Sequence, residues 1–239
     1  MRQVPVYLII GNGAVARHMK YYFSLLQIPY ESWGRHQPKE TLLFLLPKIS
    51  HILLLIKDDA IESFIEENLL SANNFLMIHF CGGLITKHAI GAHPLTTFGV
   101  DLYTLAEYKN IPFVLDTQEY SFSDLFPNLS NPNYYLPPQH KIKYHALAVA
   151  SGNFSCLMWQ KFFATLKSEF NLPEEVAYPY LKKVTQNLLQ ENEKALTGPL
   201  ARGDQKTILK HLNALDTDDF KGVYLSFLEY YRTLKGKTV

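Results

Sequence analysis

The sequence predicts an α/β fold in which a mostly parallel sheet precedes an all-helical C-terminal domain. Short apolar segments alternate with segments of helical periodicity over the first part of the chain, which is typical of βαβ units. After the Pro137-Pro138 pair, helical periodicity continues almost to the end. We therefore place a domain boundary at residue 138, with an α/β domain over 1–138 and a helical domain over 139–239.

Each predicted element follows from the spacing of its apolar residues. The predicted strands are short apolar runs bounded by turn residues, at 4–10, 29–33, 51–56, 75–80, 96–98, 112–115 and 134–136. The predicted helices have apolar residues three or four positions apart, at 14–26, 38–46, 58–70, 140–169, 173–194, 203–214 and 217–234. The acidic pair Asp58-Asp59 supports the start of the third helix, because acidic side chains stabilise a helix N-terminus.

The composition excludes several classes of protein. The 239 residues are 47% hydrophobic and 19% charged, which argues against intrinsic disorder. Two cysteines cannot build a disulfide scaffold, and no apolar run approaches the ~20 residues that span a bilayer. We expect a cytoplasmic protein that does not associate with membranes.

The net charge of +1 argues against a protein built to bind nucleic acid. It is the sum of −3 over residues 1–139 and +4 over residues 140–239. This moderate excess in the helical half is the only feature that favours nucleic-acid binding, and we expect no such partner.

A glycine-rich turn joins the first predicted strand to the first predicted helix. The segment Gly11-Asn12-Gly13-Ala14-Val15-Ala16 has the pattern GxGxxA. In this pattern the first glycine permits a tight turn, the second lets the backbone approach a pyrophosphate, and the small last residue lets the helix pack closely. Because a strand precedes the turn and a helix follows it, the context matches a Rossmann dinucleotide-binding site. The alternative is a glycine turn with a structural role only.

The residues after the second predicted strand bear on the choice of nucleotide. An NAD site places Asp or Glu there to bind the ribose 2′-hydroxyl, whereas an Arg accommodates the 2′-phosphate of NADP. The chain has Arg35 at this point, and the nearest acid is Glu31. We therefore predict NADP as the cofactor, with NAD less favoured; the alternative for Arg35 is a surface side chain.

Two further stretches carry a family resemblance. His79-Phe-Cys-Gly-Gly83 is followed by Gly91-Ala-His-Pro-Leu-Thr-Thr-Phe98, and the segment 141–153 is followed by Thr197-Gly-Pro-Leu-Ala-Arg-Gly-Asp204. With the glycine turn, the chain resembles the Rossmann-like DUF2520 proteins, relatives of pyrroline-5-carboxylate reductase, ketopantoate reductase and the F420-dependent NADP oxidoreductases. The resemblance implies an NAD(P)-binding domain and a helical domain similar to that of 6-phosphogluconate dehydrogenase, often used for dimerisation. It implies no particular reaction.

The helix predicted from residue 140 carries the candidate catalytic residues. Four residues spaced by four lie along one ridge of it: Lys141, His145, Val149 and Asn153. In the related β-hydroxyacid dehydrogenases a Lys and an Asn four apart face the nicotinamide, but here Val149 stands four before Asn153. We predict that His145 replaces the lysine as proton donor, because imidazole titrates near neutral pH, and that Asn153 orients the substrate. The alternative is that both side chains bind the backbone or each other.

The ends of the predicted strands supply further candidates, because open parallel sheets bind ligands there. We predict that His79 and Gly82 contact the cofactor and that His93 contacts the substrate. A turn in which His93 binds the backbone is an equally good reading. No spacing of the histidines supports a metal site, so we predict none.

The loop that ends in Asp204 supplies another candidate. Arg202 is a predicted clamp for a substrate carboxylate or phosphate. The alternative for Arg202 is an ion pair, for example with Asp204, which is itself the predicted N-cap of the next helix.

Together these features predict an NADP-dependent oxidoreductase that transfers a hydride to or from a small carbonyl or imine substrate in the cleft between the domains. The competing prediction is a sensor or scaffold that binds NADP and catalyses nothing, which the missing Lys–Asn spacing favours. The last helix is rich in aromatic residues beyond what one buried face needs, so we also expect a homodimer.

Overall fold

A computed structural model of the protein describes residues 6–70 and 75–236. The chain divides into two compact units, the first ending at Met158 and the second beginning at Trp159. The expected boundary at residue 138 marks the end of the strands. The compact units divide later because the first half of the next helix packs against the sheet, where Lys141 and His145 fill the space beside two glycines.

Seven strands within the described residues form one sheet. They are β1 (Tyr7–Ile10), β2 (Tyr30–Trp33), β3 (His51–Leu54), β4 (Leu76–His79), β5 (Ile90–Pro94), β6 (Phe113–Leu115) and β7 (Asn133–Tyr135). Their order across the sheet is β2-β1-β3-β4-β5-β6-β7. All neighbours are parallel except β5 and β6, which are antiparallel.

Helices follow the strands and form the C-terminal part. Those before residue 139 are α1 (Ala14–Leu25), α2 (Lys39–Leu45), α3 (Ile61–Asn68), α4 (Leu105–Asn110) and α5 (Phe122–Leu125). Those after it are α6 (Lys141–Val149), α7 (Ser155–Ser168), α8 (Tyr178–Gln190), α9 (Gly198–Arg202), α10 (Gln205–Ala214) and α11 (Lys221–Leu234). No helix in 6–70 or 75–236 is both long enough and apolar enough to cross a membrane.

The first strand lies between β2 and β3 and is buried on both faces. Tyr7 and Ile9 belong to one apolar cluster, and Leu8 and Ile10 to a second one. Side chains alternate between the two faces of a strand, so each cluster covers one face of the sheet. This explains the continuous apolar run in the sequence, which is typical of a parallel sheet between two helical layers. The predicted α/β fold with a helical C-terminal part is confirmed.

The prediction of a strand at 96–98 is wrong, because the fifth strand is Ile90–Pro94. Gly91 and Pro94 in that segment suggested a turn. The strand forms there because Gly91 leaves space for the side chains of Lys141 and Asp116, which a Cβ at this position would overlap. Pro94 is the last residue of β5, a position where a missing N–H is tolerated.

Three short helices in the described part of the chain were not predicted: α4, α5 and α9. Both α4 and α5 begin with a capping box, in which the N-cap hydroxyl and the acid three residues later exchange hydrogen bonds with the backbone. The pairs are Thr104 with Glu107 and Ser121 with Asp124. The predicted helix over 140–169 is also not uniform, because Ala150–Phe154 between α6 and α7 is π-helical.

The second unit is helical and contains few buried apolar side chains. Trp159 of α7 contacts Tyr180 of α8, with ring centroids 5.7 Å apart, and Lys161 forms a 2.7 Å ion pair with Asp218. Asp204 caps α10 by accepting a hydrogen bond from the N–H of Thr207, as predicted. Thr197-Gly-Pro does not end a long helix: α8 ends at Gln190, and Gly198 begins the short α9.

Candidate functional site

A cavity of about 850 Å³ lies at the carboxyl ends of the first strands. This volume is within the roughly 300–1,000 Å³ of ligand pockets. The glycine turn Gly11–Val15 forms part of the lining, together with residues after β2, β3 and β4. The strand order reverses at β1, with β2 on one side and β3 on the other, and such a switch point is where open α/β sheets bind ligands.

Gly11 occupies a backbone conformation that requires glycine. Its φ angle is +128°, and a Cβ at this position would overlap the backbone carbonyl oxygen of Leu55, which follows β3. The N–H of Gly11 donates to the carbonyl oxygen of Trp33 at 2.9 Å. The turn is therefore fixed between the ends of β2 and β3.

Gly13 is different, because the space around it is open. A Cβ on Gly13 would meet no atom within 4 Å, although the residue lines the cavity and caps α1. Nothing in the folded chain itself therefore demands glycine here. The open space and the unpaired N–H groups at the start of α1 suit a phosphate group.

The side chain of Asn12 is held between a lysine of α1 and Gly34. Lys20 donates from Nζ to Asn12 Oδ1 at 3.0 Å and to the carbonyl oxygen of Gly11 at 3.3 Å. A Cβ on Gly34 would overlap the side-chain amide of Asn12. The glycine turn and the segment after β2 thus pack together.

The segment after β2 presents basic side chains to the cavity. Gly34, Arg35 and His36 line it, and Arg35 is exposed. Glu31 is exposed in the middle of β2, paired in register with Leu8, and is not among the residues lining the cavity. Arg35 is therefore an exposed basic side chain at the lining of the cavity, and its contact with a 2′-phosphate stays a prediction.

Asp58 and Cys81 meet at the lining of the cavity. The thiol of Cys81 donates to Asp58 Oδ2 at 2.7 Å and accepts from the N–H of Leu84 at 3.1 Å. Burial, followed by the hydrogen bond to Asp58, raises the pKa of the Cys81 thiol. Cys81 is thus a neutral hydrogen-bond donor that fixes the turn after β4, and the sequence analysis assigned no such function to it.

Next to this turn, α6 places two side chains into spaces left by glycines. A Cβ on Gly82 would overlap Nδ1 of His145, and a Cβ on Gly91 would overlap Nζ of Lys141. Lys141 and His145 are one helical turn apart on the same face of α6. These two glycines therefore determine where α6 crosses the ends of β4 and β5.

His93 contacts two neighbouring side chains of α6. Its Nδ1 lies 2.9 Å from the hydroxyl of Tyr144, and its ring centroid lies 5.4 Å from that of His145. We refer to these three residues as the His93 cluster. Burial, followed by the charges of His145 and Lys141, lowers the pKa of His93 to about 4, so His93 is neutral at physiological pH.

His79 is fully buried at the end of β4. Its Nδ1 accepts a hydrogen bond from the N–H of Cys81 at 3.2 Å. Burial, with a smaller contribution from the charge of Lys141, lowers the pKa of His79 to about 3. The ring is therefore neutral and carries its proton on Nε2. This atom, like Nδ1 of His145, is buried and has no hydrogen-bond partner among the described residues.

The predicted site residues thus fall into separate groups. The Gly11–Val15 turn and Arg35 line the cavity. Gly82, His93 and His145 lie together next to Cys81, which is also part of the lining. Asn153 is exposed within the π-helical segment. Arg202 lines a separate cavity of about 260 Å³ whose lining residues all belong to the second unit. The roles predicted for all of these residues remain predictions.

The sequence analysis missed the buried ion pair between Lys141 and Asp116. Their Nζ and Oδ2 atoms are 2.5 Å apart, and their side chains are only 3% and 13% exposed. A signal was present, since Asp116 directly follows a predicted strand and Lys141 lies four residues before His145. No group of three metal-ligating side chains occurs in the part of the chain that the structure describes.

A glycine turn at the switch point of a mostly parallel sheet, followed by helices, defines a Rossmann-type α/β protein. The model of the family described as a domain of unknown function, DUF2520, matches residues 115–234. The chain belongs to this family. Comparison with curated proteins gives no match.

Solved structures with the same fold cover nearly the whole chain. A Bacteroides fragilis protein provisionally assigned as an NADP oxidoreductase has a TM-score of 0.74 and 21% identity, over 96% of this chain and 98% of its own. A Thermotoga maritima protein has a TM-score of 0.69 and 20% identity, over 95% and 97%. A reductive aminase from Aspergillus terreus, in complex with NADPH and ethyl levulinate, has a TM-score of 0.64 and 14% identity, over 98% and 95%. At these identities the similarity establishes the fold alone.

Proposed function

We propose that the protein is an NADP-dependent oxidoreductase acting on a small carbonyl or imine substrate. The observation that carries this proposal is the cavity at the switch point. It is lined by a turn that requires glycine at position 11 and by the N-terminus of α1, where the space around Gly13 is open. Two similar proteins support it: the one from Bacteroides fragilis is described as an NADP oxidoreductase, and the reductive aminase from Aspergillus terreus is in complex with NADPH. The residues at the turn fit a pyrophosphate because Gly13 leaves its backbone accessible.

The choice of NADP rests on Arg35. A charged hydrogen bond contributes about 1.5–3 kcal/mol, so Arg35→Ala is expected to weaken NADP binding by roughly ten- to a hundredfold. NAD lacks the 2′-phosphate, so its affinity should change little in the variant. Calorimetric titration of both nucleotides into both proteins measures the difference. Equal losses for NADP and NAD would contradict a contact with the 2′-phosphate.

The bound nicotinamide would supply a hydride, so that reduction of a C=O or C=N bond needs one further proton from the protein. We assign that proton to His145, because its ring lies beside the turn after β4 and next to His93. Nδ1 of His145 faces Gly82, so Nε2 is the atom from which the proton would pass to the substrate oxygen or nitrogen. His93 and Tyr144 would hold this ring in place.

The test is NADPH oxidation across a panel of keto acids, aldehydes and imines. His145→Ala is expected to lower kcat by about 10²- to 10⁴-fold, the usual contribution of a general acid, with NADPH affinity unchanged. His140→Ala is the matched control, because His140 is exposed at the start of the same helix. If the two variants are equally active, His145 is not the proton donor.

The second candidate function is a sensor or scaffold that binds NADP without catalysis. It is favoured by Asn153, which is exposed in the π-helical segment and has Val149 instead of lysine four residues before it. Tight NADPH binding without turnover on any substrate of the panel would support this function over the enzyme.

We also propose that the protein forms a homodimer through its helical part. Large apolar side chains are exposed there, including Leu189, which is 82% exposed, and Leu234, which is 63% exposed. Tyr230 and Phe227 of α11 are exposed as well. Aromatic and apolar residues are typical of the buried centre of an interface.

A further inference from the structure

The site contains a buried charged pair that the proposed function does not use. Lys141 has a 3% exposed side chain and is paired with Asp116 at 2.5 Å. Asp116 is itself fixed to β5, since its Oδ1 accepts the N–H of Gly91 at 2.9 Å and its own N–H donates to the Gly91 carbonyl at 3.1 Å. The pair therefore joins α6 to the ends of β5 and β6.

The position of the Lys141 ammonium group follows from the sheet register. Gly91 is paired with His79 on the neighbouring strand, so a side chain at position 91 would lie beside that of His79. Lys141 Nζ occupies this place. His93 lies two residues further along β5 and on the same face of the sheet. A positive charge is thus held between two histidines.

The same pair sets the place of His145. Lys141 and His145 are four residues apart on α6, and each fills the space beside one glycine, Gly91 and Gly82 respectively. The ion pair holds the first of these two contacts together.

We propose that Lys141, paired with Asp116, is a positioning residue that holds His145 over Gly82 and keeps a fixed positive charge between His79 and His93. The catalytic part of this proposal rests on the proposed function, in which His145 is the proton donor. The placement itself is a property of the folded chain and is testable without any substrate.

The positive charge of Lys141 also favours the neutral form of the imidazole rings of His79 and His93. The groups that face His93 are Tyr144, His145 and Lys141 from α6, His79 from β4, Asp116 after β6, and Asp58 before α3. Lys141 lowers the pKa of both histidines, whereas Asp58 raises that of His93. Because both pKa values lie below the ordinary 6.5, the unfolded chain takes up more protons on acidification. The stability that the two neutral rings contribute is thus fully present above about pH 6.5 and is lost as the pH falls through about 4 for His93 and about 3 for His79.

The test uses three variants of the full chain: Lys141→Met, Asp116→Asn and the double variant. Each single variant leaves one buried charge unpaired, so we expect Tm to fall by roughly 6–20 °C. The double variant removes both charges and keeps an oxygen for the Gly91 N–H, so most of that loss should be recovered. Lys143→Met is the matched control, because Lys143 is exposed two residues along the same helix.

The deciding measurement is the imidazole NMR titration of the double variant. With the positive charge of Lys141 removed, the titration midpoint of His93 should move upward from about 4 but stay below 6.5, because burial, the largest cause of the lowering, remains. The ring signals of His145 should shift as well. Unchanged titration of His93 together with unchanged signals of His145 would overturn the proposal.

The kinetic arm separates this proposal from the proposed function. If His145 is the proton donor, the double variant should lower kcat by a larger factor than it changes KM. If no substrate is found but the NMR changes occur, the positioning proposal holds and the proposed function fails.

Discussion

Gly11→Ala is expected to abolish nucleotide binding and to lower the free energy of unfolding by about 2–5 kcal/mol, from backbone strain and overlap together. The φ angle of +128° is strained for alanine, and the added Cβ would overlap the carbonyl oxygen of Leu55. That carbonyl belongs to the backbone and cannot rotate away. Chemical denaturation and NADPH titration measure the two effects.

Gly13→Ala is the control that separates folding from binding. Its Cβ would meet no atom of the chain, so stability should stay within about 0.5 kcal/mol of the original. The methyl group would nevertheless occupy the space through which a pyrophosphate approaches the helix N-terminus. Nucleotide binding should therefore fall sharply in a fully folded variant. Normal NADP affinity in Gly13→Ala would show that the phosphate does not lie at this turn.

Gly82→Ala is expected to displace His145 and to reduce turnover by about a hundredfold or more, the usual effect of moving a catalytic group by 1 Å. The added methyl would overlap Nδ1 of His145. Relief requires a movement of α6 or of the turn after β4, at a cost of about 1–3 kcal/mol. Denaturation and steady-state kinetics measure both effects.

Gly83→Ala is the matched control for this prediction. Its Cβ would lie 3.6 Å from Cδ2 of His145, which is an ordinary contact, so stability and turnover should change little. Equal losses in the Gly82 and Gly83 variants would show that the turn tolerates no side chain at either position. They would remove the inference that His145 specifically needs the space at Gly82.

The first half of the fold was predictable because each of its elements follows from a pattern within a few neighbouring residues. An apolar run buried on both faces, a glycine turn and an amphipathic helix occur in sequence order, and each has its own periodicity. β5 was not predicted because Gly91 and Pro94 are residue types that are common in turns. The reason for glycine at position 91 is the side chain of Lys141, fifty residues later, which occupies the space beside it. That contact is tertiary and leaves no local pattern.

The short helices are a different case, because their signals were present and unused. The capping boxes Thr104–Glu107 and Ser121–Asp124 are readable as Ser/Thr followed three residues later by an acid. The GxGxxA pattern likewise sufficed to place the glycine turn between β1 and α1, whereas the contact of Arg35 with a nucleotide stays a prediction. The ion pair of Lys141 with Asp116 was not, since two charged residues 25 positions apart have no periodic relation.

The π-helical segment Ala150–Phe154 has a consequence for how this chain is compared with its relatives. A π turn closes with i→i+5 hydrogen bonds and so holds one residue more than an α turn. A relative with an uninterrupted α-helix here would align with a one-residue gap, and counting four residues back from Asn153 would then select the wrong neighbour. Because the segment holds one extra residue, removing one residue from it is expected to restore a continuous α-helix rather than to turn α7 about its axis. Residue counts that cross this segment, such as those from α6 to α7, are therefore shifted by one relative to a continuous α-helix.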